Sequence, residues 1–87
     1  MKDMKDMKSE VTVRLYAAAR SAAGQSEICV APDRLDFILD SISQQNPRLA
    51  QVFAQCSFLV DGVAAHDKKV EIQAGSTVDV LPPFAGG

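Results

Sequence analysis

The stretch Leu35-Asp36-Phe37-Ile38-Leu39-Asp40-Ser41-Ile42 sets apolar residues at i, i+3, i+4 and i+7. That spacing lays Leu35, Ile38, Leu39 and Ile42 along one side of an α-helix and fits no strand. Pro32-Asp33 breaks whatever comes before, and Asp33 with Asp36 three residues on reads as an N-cap with its capping-box partner. Asn46-Pro47 ends this helix and begins a shorter one, with Asn46 as cap and Pro47 in the first turn. Leu49, Val52 and Phe53 form the apolar face of that second helix, while Phe37 lies off the main stripe. The whole chain has 87 residues, room for one modest core. A helix with so clean a stripe in so short a chain needs a sheet to cover.

The sequence on either side supplies one. Val11-Thr12-Val13-Arg14-Leu15-Tyr16 alternates apolar and polar, the pattern of a half-buried strand with Val11, Val13 and Leu15 inward. Ala17 to Gly24 is alanine-rich and closes on glycine, so it reads as a turn or one helical turn stopped by Gly24. Glu27 to Val30 is a second strand, placed to pair with the first as a wide hairpin. Ser57-Phe58-Leu59-Val60 is a third, closed by the turn pair Asp61-Gly62. Ala64 to Lys69 reads as an irregular charged loop, Val70-Glu71-Ile72 as a short edge segment, and Thr77 to Leu81 as the last strand with Val78 and Val80 inward. One main helix plus a short second helix on one face of one sheet is a two-layer α+β domain. Residues 10–81 hold it. Residues 1–9 repeat Met-Lys-Asp with alternating charge and no apolar period, and read as a disordered extension.

After Leu81 the pattern changes. Pro82-Pro83-Phe84-Ala85-Gly86-Gly87 closes the sequence. Two prolines hold φ at about −65° and bias their neighbours to extended shapes, so this tail should leave the last strand stiffly and point away from the body. Gly86 and Gly87 strip side-chain bulk from the tip, which suits a terminal carboxylate threaded into a narrow channel of another protein.

Composition narrows the classes. A net charge of −2 with no basic cluster beyond Lys68-Lys69 argues against nucleic acid as a partner. Cys29 and Cys56 stand far apart, and His66 is the only histidine, so neither a metal site nor a Cys-His catalytic pair is indicated. No stretch has the length of a membrane span or the plan of a signal peptide, so the expected compartment is the cytoplasm.

The element order, the segment Tyr16-Ala17-Ala18-Ala19-Arg20-Ser21-Ala22-Ala23-Gly24, and the ending Leu81-Pro82-Pro83-Phe84-Ala85-Gly86-Gly87 together resemble the small subunit of molybdopterin synthase, a family of ubiquitin-like sulfur carriers. The resemblance spans residues 11–87, and its most specific part is the Pro-Pro-x-x-Gly-Gly end. It implies a β-grasp fold, a mixed sheet whose first and last strands lie parallel at the centre. It also implies a chemistry. An ATP-dependent, E1-like activating enzyme adenylates the carboxylate of Gly87, and a sulfur donor protein displaces AMP to leave a thiocarboxylate. The tail, with Gly86 in its tightest part, then enters the large synthase subunit and gives its sulfur to a pterin precursor. The carrier itself holds no permanent cofactor and supplies no acid or base. The resemblance thus implies a non-catalytic, sulfur-donating subunit of a sulfurtransferase.

Leu81, Pro82, Pro83, Phe84 and Ala85 are the expected partner-binding residues, with Leu81 and Phe84 outside the inward register. Arg20 matches an arginine of the family segment. It either anchors the loop after the first strand or faces the partner. Three rivals stand beside this reading: a carrier feeding thiamine or cysteine synthesis, a ubiquitin-like modifier conjugated through Gly87, and an interaction domain whose Gly-Gly end is incidental.

Overall fold

The computed structural model describes residues 9–83. Its elements run β1 (Val11–Leu15), α1 (Ala17–Ala23), β2 (Glu27–Val30), α2 (Leu35–Gln45), α3 (Pro47–Phe53), β3 (Ser57–Val60), β4 (Val63–Ala64) and β5 (Thr77–Leu81). The strands form one sheet in the order β2-β1-β5-β3-β4. β1 and β5 pair in parallel, with Val13 beside Val78 and Leu15 beside Val80. The other pairings are antiparallel, β5 also holding β3 with Phe58 beside Val80. This is the β-grasp arrangement, with the first and last strands adjacent at the centre.

Alternation decides which side is core. Val11, Val13 and Leu15 of β1, Val78 and Val80 of β5 and Phe58 of β3 all point to one face and are buried. Leu35, Ile38, Leu39 and Ile42 of α2 close over them, joined by Leu49 and Phe53 of α3. The Phe53 and Phe58 rings meet edge to face at 6.3 Å. Asn46 caps α3 as its position suggests: its side-chain oxygen accepts from Arg48 N, and its amide donates to the Ala22 carbonyl at 3.0 Å. One residue thus starts α3 and ties it to α1.

Four local readings change. The alanine-rich segment is a full helix rather than a single turn. Gly24, at φ 77°, takes the left-handed residue that ends it, and its N–H donates to the Arg20 carbonyl. The cap of α2 is Arg34, not Asp33, and no side chain caps it. The first two amides of α2 go instead to loop carbonyls, Leu35 N to Val70 O and Asp36 N to Lys68 O, which leaves neither of them for a carboxylate cap. Asp33 and Asp36 still take up nearby groups: Asp33 accepts from Arg34 N, and Asp36 from the Arg34 guanidinium and Phe37 N. That guanidinium lies 4.0 Å from the half-exposed Phe37 ring.

The short fourth strand is Val63–Ala64, not the segment around Glu71, which makes only an isolated bridge to Arg34. Asp61 and Gly62 both have positive φ, which folds β3 straight back on itself as a tight hairpin. Finally, Pro82 does not leave the body; it is buried, and the exposed stretch starts at Pro83.

Candidate functional site at the tail exit

β5 delivers the tail. It lies between β1 and β3, so Leu81 emerges at the middle of one end of the sheet, opposite Ser57 of β3. Beside it β1 ends at Leu15, and Tyr16 turns into α1 through Ala17, a non-glycine residue held at φ 50°. Positive φ is strained for alanine, so the surroundings hold this corner in place. Leu81 is half-buried, Pro82 buried and Pro83 exposed. Phe84, Ala85, Gly86 and Gly87 lie outside the described residues. Arg20 is exposed on α1, the helix that starts at this same end, and its guanidinium makes no hydrogen bond or ion pair among the described residues. The loop-anchoring role considered for Arg20 therefore has no contact to support it.

One feature here was not read from the sequence. On the sheet face away from the helices, Asp79 is only 8% exposed. Arg14 Nε donates to its Oδ1 at 2.8 Å, and Tyr16 Oη donates to the same oxygen at 3.2 Å. The Asp79 hydrogen bond, with its charge, raises the affinity of the Arg14 guanidinium for its proton above the ordinary value. The signal was available, since Arg14 and Asp79 occupy matching outward positions in the two strands, but only the parallel pairing of those strands makes them neighbours.

Other reactive groups stand away from the exit or are inert. Burial pushes the Cys56 thiol up, and its Sγ donates to the Val52 carbonyl, so it is no ready nucleophile. A groove of about 310 Å³ runs between β2 and α2, lined by Ile28, Val30, Ile42 and Leu49. It belongs to the sheet edge, with β1 standing between it and β5. Among the described residues no cluster of His, Cys, Asp and Glu could hold a metal ion, and no helix is long and apolar enough to cross a membrane.

The ThiS family model matches residues 13–87. The chain belongs to the ThiS family. Solved structures share its fold. Small archaeal modifier protein 1 of Methanosarcina acetivorans is 25% identical, with a TM-score of 0.76 over 91% of this chain and 97% of that one. Its counterpart from Haloferax volcanii is 24% identical, with a TM-score of 0.76 over 90% and 99%. A chain from the complex of subunits 1 and 2 of the Helicobacter pylori molybdopterin-converting factor is 18% identical, with a TM-score of 0.68 over 90% and 99%. No curated protein sequence matches significantly. Membership places this chain among ubiquitin-like carriers of the ThiS type, and the matched region runs through the Gly-Gly end.

Proposed function

We propose that this chain is a sulfur carrier, the small subunit of a molybdopterin synthase. The observation that carries the reading is the placement of Leu81-Pro82-Pro83-Phe84-Ala85-Gly86-Gly87 in a ThiS-family chain, directly after the central strand of the sheet. The carboxylate of Gly87 attacks the α-phosphorus of ATP on an activating enzyme, releasing pyrophosphate and forming an acyl-adenylate. A sulfur donor then replaces AMP, leaving a thiocarboxylate. This anion passes its sulfur to a pterin precursor inside the large subunit. A free carboxylate is a poor electrophile, and the adenylate supplies the leaving group it lacks. The body contributes geometry: a tail that starts from two ladders and a buried proline moves little at its base, and positioning is what transfer demands. The work is assigned to the cytoplasm, where both enzymes would meet the carrier.

The intact mass of the protein purified from its own host tests this. A fraction carrying sulfur in place of one oxygen, mapped to Gly87, is the expected result; a purely oxygen-bearing terminus in cells actively making the cofactor counts against it. A second reading, a protein modifier joined through Gly87 to lysines, is favoured by the 25% identity to the archaeal modifier. It predicts a ladder of higher-mass adducts on immunoblots, whereas the carrier runs as one free band. A carrier for thiamine or cysteine synthesis shares the thiocarboxylate, and differs in which deletion strain the gene rescues.

A further inference from the structure

Where the tail begins, β5 is held unequally on its two sides. Its pairing with β3 runs through Leu81, opposite Ser57, whereas its pairing with β1 ends one residue earlier, at Leu15 and Val80. Pro82 has no N–H with which to extend the β1 ladder, and the carbonyl of Tyr16, next along that side, already accepts from Ala19 N at 3.0 Å. The chain also turns away there: Tyr16 caps α1 in extended geometry, and Ala17 follows at φ 50°. The Tyr16 side chain nevertheless reaches back to β5 from beyond the last paired residue. Its hydroxyl donates to Asp79 Oδ1 at 3.2 Å. Asp79 is nearly buried and stands two residues ahead of Leu81. Arg14 Nε, on the same oxygen at 2.8 Å, holds that carboxylate in place.

We infer that Tyr16 is a positioning residue for the tail: its hydroxyl, fastened to Asp79, clamps the corner between β1 and α1 against the strand that carries Gly87 to the activating enzyme. The inference rests on the carrier reading above. Tyr16 acts through β5 rather than on the reacting atoms. An alanine at positive φ stays in place only while its surroundings hold it, so the bond that steadies Ala17 also steadies the strand beside it. Without that bond the base of the tail relies on the β3 ladder at Leu81. A small rotation there is magnified along residues 82–87, a lever of at most about 20 Å when fully extended. The carboxylate then spends less time aligned with the α-phosphorus of ATP, and a misplacement of about 1 Å is already costly.

The test is pyrophosphate exchange by the activating enzyme with the full chain as wild type, Tyr16→Phe, Asp79→Ala, the double variant and the control Ile42→Val, at a temperature where all are folded. Tyr16→Phe should lower kcat about fivefold and leave the KM for the carrier unchanged. Asp79→Ala should lower kcat too, and the double variant should lose no more than Asp79→Ala alone, because both changes break one bond. Ile42→Val trims the core under the sheet; it should lose stability and keep kcat. Hydrogen exchange reads the clamp without any enzyme: the Leu81 amide should exchange several-fold faster in Tyr16→Phe and not in Ile42→Val. If Asp79→Ala misfolds, Tyr16→Phe still decides. Wild-type kcat and wild-type Leu81 exchange in Tyr16→Phe overturn the inference. A raised KM at unchanged kcat makes Tyr16 a contact of the enzyme and overturns it as well, and an equal loss of kcat in Ile42→Val reduces the effect to stability. Failure of the wild type itself to support exchange removes the carrier reading, while the Leu81 amide still judges the clamp, which separates the two failures.

Discussion

Tyr16 Oη and Arg14 Nε donate to the same oxygen of Asp79, at 3.2 and 2.8 Å, which ties the corner after β1 to the middle of β5. Arg14→Met leaves this nearly buried carboxylate with the tyrosine alone. It should lower stability only modestly, because the Arg14 guanidinium is half in solvent and the tyrosine hydrogen bond remains. Tyr16→Phe, which leaves the Arg14–Asp79 pair in place, should cost about 1 kcal/mol. Urea melts with unchanged m-values check both.

Leu39 sits in the stripe of α2 and is buried against the sheet. Leu39→Ala should cost about 2–5 kcal/mol. For a domain this small that is a large share of the total, and thermal melts should show it plainly. A melting temperature within a few degrees of wild type would remove Leu39 from the core.

Asp61 sets an acid-side dependence. Thr77 N–H, and after it the Ser76 hydroxyl, hold its carboxyl below the ordinary carboxylate range. The unfolded chain therefore takes up the proton first as pH falls. The contribution is complete above the ordinary value, about 4, and is lost as pH drops through the lowered native value. Asp61→Asn keeps the turn but removes the charge, so its stability should decline less steeply below about pH 4. Melts from neutral to strongly acidic pH compare the slopes; parallel curves would dismiss the carboxylate.

Leu81 is half-buried at the exit, outward from the Val78 and Val80 register. Leu81→Ala should weaken binding to the large subunit, and Phe84→Ala, at the expected anchor, by about 2 kcal/mol. Calorimetry reads the affinity. Phe84→Ala should leave the melting temperature unchanged, so a drop in it would mean the ring packs on the body.

The tail prediction follows from reach. One residue added after Gly87 displaces the carboxylate by about 3.3–3.6 Å, and a misplacement of about 1 Å can already cost a hundredfold. That variant and Gly86→Val should fold normally yet fail in pyrophosphate exchange with the activating enzyme or in sulfur transfer. Full activity of an unprocessed, C-terminally extended protein would end the carrier reading.

Much of this was legible in the sequence because the signals are local. The spacing of Leu35, Ile38, Leu39 and Ile42 identifies α2, and alternation from Val11 to Leu15 identifies β1 and its inward face. What stayed hidden depends on distant parts of the chain. Asp33 and Asp36 have the spacing of a cap, but the carbonyls of Lys68 and Val70 arrive from another loop and take the donors first. Arg14 and Asp79 are 65 positions apart, and only the parallel register brings them together. Val63–Ala64 is too short to show a period, so its strand rests on the Asp61-Gly62 turn alone. The start of the tail after β5 was legible, but the burial of Pro82 was not, because an X-Pro-Pro run says nothing of what packs against it.

The place of β5 between β1 and β3 also governs how the molecule bears load. An enzyme that draws the tail into a channel pulls along the axis of a strand bonded on both sides. The pull is then resisted in shear by two rows of hydrogen bonds acting together, whereas an edge strand would peel away one bond at a time. Tension at the tip would therefore be shared across the centre of the sheet before any strand could come loose.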